Sequence, residues 1–151
     1  MADNLFLPNI IRMCTEEERR KLIATMDRFI KDGKWTGAKG SQNRAVICMR
    51  TKRGNEEADA GMRKKRKPKD QRRLVHPQIT FQVPQIVLIK AGYYPMEDEE
   101  ASHLCHNTEC ILLEHLVWER GDYNRRRKFC VRAKKCICRL TPPCMLNVHN
   151  E

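Results

Sequence analysis

No stretch of the 151-residue chain approaches the roughly 20 consecutive apolar residues that cross a bilayer, so a spanning helix is not expected. The opening Met1-Ala-Asp-Asn-Leu-Phe-Leu-Pro8 lacks a basic run followed by an apolar one, and no secretory signal is expected. Aromatic residues make up 6% of the chain, which leaves few rings for stacking bases and disfavours an RNA-binding role. Acidic residues are scarce beside basic ones: 19 Asp+Glu against 30 Lys+Arg give a net charge of +11. That balance favours a polyanionic partner, most simply nucleic acid. With 40% hydrophobic and 32% charged residues, the expected core is thin, and something besides apolar burial must hold the fold. Eight cysteines are the candidate. In the nuclear or other intracellular, reducing compartment expected for this chain, clustered Cys and His hold metal more often than they form disulfides.

The cysteines are grouped. Cys105, Cys110 and His115 follow a C-x4-C-x4-H spacing, three donors of the kind a tetrahedral zinc site uses. Cys48 is the best-placed fourth, provided that its strand pairs back against this region. Cys130, Cys136, Cys138 and Cys144 form a second, all-thiolate set, with Pro142-Pro143 stiffening the loop before its last member. Seven Cys and one His thus fill two closed structural sites and leave Cys14 alone. Small buried hydrophobes are the plain alternative for these thiols. Structural zinc contributes on the order of 10–16 kcal/mol of apparent binding energy in small domains, enough to hold a polar sequence together.

Along the chain, residues 1–40 read as an N-terminal helical segment. Thr15 and Glu18 have capping-box spacing; Leu22, Ile23, Met26, Phe29 and Ile30 recur at helical intervals, and Gly33 is a stop. Residues 41–100 read as a β region with a basic loop. Ala45–Met49 and Gln78–Val83 are strand candidates, and Gln85–Lys90 continues as a second extended run after Pro84. Thr51–Arg73 has no periodicity and carries blocks of like charge, which suits a solvated loop. An acidic loop, Glu97–Glu100, precedes residues 101–151, where the cysteines and histidines lie. His103 and Asn124 belong to adjacent elements of that region, with Asn124 two to three helical turns beyond His115.

The run Ala101-Ser-His-Leu-Cys-His-Asn-Thr-Glu-Cys110, with His115, Trp118-Glu119, Asn124 and the later cysteines, resembles the His-Cys box homing endonucleases. These are intron-encoded members of the ββα-metal, or His-Me finger, nucleases. The resemblance is dense over Ala101–Cys144, a little under a third of the chain. It implies an α+β fold: a zinc-stabilised ββα-metal core with an antiparallel DNA-binding sheet and an N-terminal helix. It further implies a metal-dependent endonuclease acting on double-stranded DNA. His103 matches the general base that takes a proton from the attacking water, and Asn124 the side chain that holds one catalytic divalent cation, Mg²⁺. Cys48, Cys105, Cys110 and His115 match a first structural zinc site. Cys130, Cys136, Cys138 and Cys144 match a second, with Cys138 standing where a relative can carry His. The resemblance also implies an arginine near the scissile phosphate. Arg66, Arg72 and Arg73 are in register, and Arg73, nearest the strand pattern, is chosen.

Two-stranded ribbons enter the major groove, and Gln pairs bidentately with adenine. Arg44–Lys90 is therefore read as containing the DNA-reading sheet, with Gln78 and Gln82 among the readers and Arg63, Lys64, Lys65, Arg66, Lys67 and Arg72 on phosphates. Arg125 and Arg126 lie where they neutralise backbone. Lys64–Lys67 also has the form of a nuclear-localisation run. Cutting two strands with one site per chain favours a homodimer, although only Met145–Glu151 follow the last cysteine, short of the dimerising tail of the family. The competing reading is a zinc-stabilised DNA-binding or regulatory protein without catalysis. Zinc folding alone needs neither His103 nor Asn124, and the presence of both favours the nuclease.

Overall fold

The computed structural model describes residues 7–62 and 77–146. The chain is α+β: short helices interleave with three two-stranded antiparallel ribbons. Helix α1 (Asn9–Arg12) leads into α2 (Glu16–Arg28), whose start is the expected capping box. Thr15 Oγ1 accepts from the Glu18 amide at 3.2 Å, and the Glu18 carboxylate accepts from the Thr15 amide at 2.9 Å. Thr15→Ala removes half of that reciprocal pair and is expected to cost about 1 kcal/mol. A chemical melt with unchanged denaturant slope checks it.

Helix α2 stops before Phe29, one turn earlier than the apolar spacing implies. Ile30 instead opens a hairpin of β1 (Ile30–Lys31) and β2 (Lys34–Trp35), turned by Asp32-Gly33. Both turn residues have positive φ, 52° and 73°, the geometry that Asp-Gly favours in a two-residue hairpin loop. Gly33 is a turn residue rather than a helix stop.

Strand β3 (Val46–Met49) pairs with β4 (Ile79–Gln82), so the antiparallel ribbon expected between residues 44 and 90 is present. Two neighbouring segments differ from their sequence reading. Lys52–Met62 forms helix α3 where a loop is expected; the buried Thr51 accepts from the Gly54 amide at 3.0 Å and starts it. Val83–Lys90 forms helix α4 rather than a second extended run. Pro84 sits in its first turn, where a missing N–H costs nothing. The helix is apolar nearly all round and buries Val83, Pro84, Ile86, Leu88 and Ile89, so no polar face marks a helical period.

Helix α4 is central. It packs on α2 and β4, on β5 (Glu99–His103) and on β6 (Leu116–Arg120). One apolar cluster joins Ile10, Leu22 and Met26 to Ile47, Phe81, Val83, Ile86 and Ile89, and reaches Ile111. Cys14 is 1% exposed within it, and burial raises its thiol pKa to about 12. Strands β5 and β6 pair with Ala101 opposite Trp118 and His103 opposite Leu116, and α5 (Gly121–Ala133) follows β6 directly. Two antiparallel strands and a helix thus form a ββα unit. Leu116–Arg120 is therefore strand, and Asn124 lies in the first turn of a helix that begins only at Gly121. Glu99 and Glu100 likewise belong to β5 rather than to a loop. No helix among the described residues is long and apolar enough to cross a membrane.

Candidate metal centres and cleft

Two groups of donors converge. Cys130, at the end of α5, meets Cys136, Cys138 and Cys144 from the loop beyond, with all four sulfurs within 4.8 Å of one another. Sγ–Sγ separations of 3.7 Å (Cys136–Cys138) and 3.9 Å (Cys138–Cys144) are close to the edge, about 3.8 Å, of a tetrahedron with 2.3 Å zinc–sulfur bonds. The loop is shaped for this. Lys134, with φ 57°, closes α5 in the left-handed conformation, and the Ile137 amide donates to Cys130 Sγ at 3.3 Å. The Cys144 amide donates to Cys136 Sγ at 3.4 Å, and this contact lowers the Cys136 pKa to about 7. Burial raises Cys144 to about 12. Donor set and spacing fit zinc.

An arginine backs this centre. Arg127 of α5 is fully buried, its Nε donating to both carboxylate oxygens of Glu119 on β6, at 2.7 and 3.0 Å. Its Nη1 donates to Cys144 Sγ at 3.5 Å, placing a positive charge beside the thiolate set. The same side chain therefore joins β6, α5 and the cysteine loop.

Cys105, Cys110 and His115 form the second group, again within 4.8 Å, with Cys110 Sγ 3.4 Å from His115 Nδ1. Strand β5 ends at His103, so Cys105 is presented by a turn and not by strand parity. The His106 amide bonds the His103 carbonyl at 3.1 Å, with His106 at φ 59°, and the Cys110 amide bonds the Asn107 carbonyl at 3.0 Å. The thiol of Cys110 is held well above the ordinary range, first by its hydrogen bond with Cys105 and then by burial. Cys48 does not join this group. Its strand pairs with β4, not with the Cys105 loop, and its exposed sulfur lies 3.6 Å from Thr80 Oγ1. Among the described residues the first centre therefore brings three of its four expected donors together.

Between β5, the start of α5 and the Gln42–Arg44 turn lies a cleft of about 740 Å³. His103 and Asn124 both line it, as do Arg44, Gln82, Arg125 and Lys128. His103 Nε2 lies 3.0 Å from the Cys110 carbonyl oxygen. A carbonyl only accepts, so Nε2 carries the hydrogen, and the neutral ring keeps its lone pair on Nδ1. Burial lowers the His103 pKa and favours that neutral form. Asn124 is held twice: Ser102 Oγ donates to its Oδ1 at 2.8 Å, and its Nδ2 donates to Glu100 Oε1 at 2.7 Å.

Of the other expected site residues, Gln82 lines the cleft from β4, Gln78 is exposed just before that strand, and Arg126 is exposed on α5 outside the lining. Arg63, Lys64, Lys65, Arg66, Lys67, Arg72 and Arg73 lie outside the described residues. The cleft adds Arg44, whose buried Nε has no hydrogen-bond partner, and Glu100. Neither is marked in the sequence by spacing or by a motif; only the packing of the Gln42–Arg44 turn against the ββα unit brings Arg44 to His103. The charged side chains of the lining are cationic apart from Glu100, and they suit a phosphate backbone.

Compared with known protein families, residues 48–151 match the zinc-binding loop region of homing endonuclease, a match that begins at Cys48 and takes in both metal centres and the cleft histidine. No curated protein and no solved structure matches the chain.

Proposed function

The chain belongs to the family defined by the zinc-binding loop region of homing endonucleases, and on that premise we propose that it is a metal-dependent endonuclease hydrolysing phosphodiester bonds in double-stranded DNA. The observation that carries the reading is the convergence of His103 and Asn124 on one basic cleft, with the His103 ring already fixed as the tautomer a general base needs.

On this reading His103 Nδ1 takes the proton from the attacking water and becomes an imidazolium still hydrogen-bonded through Nε2 to Cys110. Arg44, which lines the cleft with His103, holds the phosphate beside it, the role that the family resemblance gave to Arg73. Arg125 and Lys128 neutralise flanking phosphates, and Gln82, which also lines the cleft, reads a base edge. Asn124 Oδ1 is a hard oxygen donor, the chemistry that Mg²⁺ takes. Asn124 would hold such a cation, which would supply Lewis-acid stabilisation of the charge that develops on the leaving 3′ oxygen. The two zinc centres are structural: they fix the turn that follows His103 and the loop that follows α5. With one cleft per chain, cutting both strands calls for two copies.

Incubating the full chain with plasmid DNA tests the reading. Supercoiled DNA should be nicked or linearised with Mg²⁺ and left intact with EDTA, and the mapped ends should carry 5′-phosphate and 3′-hydroxyl groups. Salt-dependent binding without cleavage at any Mg²⁺ concentration would instead identify a catalytically inactive DNA-binding protein.

A further inference from the structure

We propose that Glu100 is a positioning residue that sets the orientation of the Asn124 amide toward the cation, an inference that rests on the nuclease reading above. Glu100 is the only acidic side chain lining the cleft among the described residues, and it is exposed there. Its cross-strand neighbour on β6, Glu119, is 7% exposed and committed to Arg127, so it contributes nothing to the cleft.

The chemistry of the contacts decides the orientation. An ionised carboxylate only accepts hydrogen bonds, so Glu100 Oε1, 2.7 Å from Asn124, selects the amide NH₂ and repels its oxygen. Ser102, two residues along the same strand, is fully buried and gives its hydroxyl proton to Asn124 Oδ1 at 2.8 Å. Ser102 alone cannot choose, because a hydroxyl serves an amide nitrogen as acceptor as readily as it serves an amide oxygen as donor. With Glu100 present the amide has one satisfied orientation. One lone pair of Oδ1 meets Ser102, and the other is left for a hard cation. Without Glu100 the amide can flip and present N–H groups, which repel a cation. Gly121 leaves the carboxylate its place: a Cβ there would lie 3.4 Å from Glu100 Oε2 and 3.2 Å from Arg125 Nη1.

Mn²⁺ is the probe. Its affinity for the full, zinc-loaded chain is read by the loss of the free-ion electron paramagnetic resonance signal on titration, with zinc content measured in the same samples. E100A should weaken Mn²⁺ binding by about 10-fold or more, the scale on which partners of metal ligands act. E100Q still pairs with the Asn124 amide, through its own carbonyl or its NH₂, and so holds the side chain without fixing which end faces the cation; its affinity should fall between wild type and E100A. E100M, which keeps the stem without the acceptor, should follow E100A. Wild-type affinity in both E100A and E100M overturns the inference, as does E100Q as weak as E100A, because then the charge itself holds the ion. Asn124→Ala that binds Mn²⁺ like wild type overturns the reading beneath it, and that failure is distinct from one confined to Glu100.

Discussion

Stripping zinc from the purified chain should abolish its cooperative unfolding transition. The largest described stretch without regular structure, residues 134–146, follows α5 and is drawn together by Cys130, Cys136, Cys138 and Cys144. Its other described ties are few: the Met145 amide donates to the Leu104 carbonyl at 2.8 Å and Arg127 reaches Cys144 at 3.5 Å, while Ile137 is exposed. Without the ion, four sulfurs within 4.8 Å must remain as crowded thiols, and Arg127 loses the thiolate charge that its Nη1 faces. Structural zinc contributes on the order of 10–16 kcal/mol of apparent binding energy in small domains, comparable with the whole stability of a domain this size. Treatment with a strong chelator should therefore broaden or remove the thermal melt by circular dichroism and open residues 134–146 to proteolysis. Elemental analysis beforehand should give two zinc per chain. A melt unchanged after complete zinc removal would sink the structural role. A single zinc per chain would confine it to the all-cysteine centre, since the other brings only three of its expected donors together.

His103→Ala should lower Mg²⁺-dependent cleavage by roughly 10²–10⁴-fold, the range by which a general base accelerates a reaction. The same variant should keep its zinc and its affinity for DNA. The separation follows from geometry. The ring contacts the metal centre only through the Cys110 carbonyl, and losing that bond leaves one acceptor unmet at a cost of about 1 kcal/mol. On the proposed reading phosphate attraction comes from Arg44, Arg125 and Lys128 of the cleft, which the substitution leaves in place. Cleavage at the wild-type rate would remove His103 as base. Loss of zinc together with cleavage would make it a structural residue of the Cys105–Cys110 turn.

What could be read in the sequence is what local chemistry settles. The capping box of α2 is made by residues three apart, and the structure contains it. The Cys130–Cys144 and Cys105–His115 donor sets were legible because short loops bring their members together whatever the rest of the chain does. Strands β3 and β4 showed through alternation or apolar content. Helix α4 did not, because burial on every side erases the contrast between faces, and Pro84 resembles a break until its place in the first turn is seen. The segment after His115 read as helical for a related reason: the apolar stretch Ile111–Trp118 has no period that tells a short strand from a helix.

The reach of Cys48 depended on a pairing that sequence offers no means of choosing, and β3 took β4 as its partner. The cleft shows the same division. Residue identity determined the capacity for chemistry: an imidazole, a carboxamide, soft donors at short intervals and a surplus of positive charge, each readable because it is carried by one side chain or a few neighbours. Tertiary structure alone decided that Arg44 stands beside His103 and that Glu100 and Ser102 grip Asn124 from one strand. Those contacts join residues some 20 to 60 positions apart, and their register comes from the packing of β5 and β6 on α4 and of α5 on that ribbon, which the sum of many weak contacts sets and no single motif encodes.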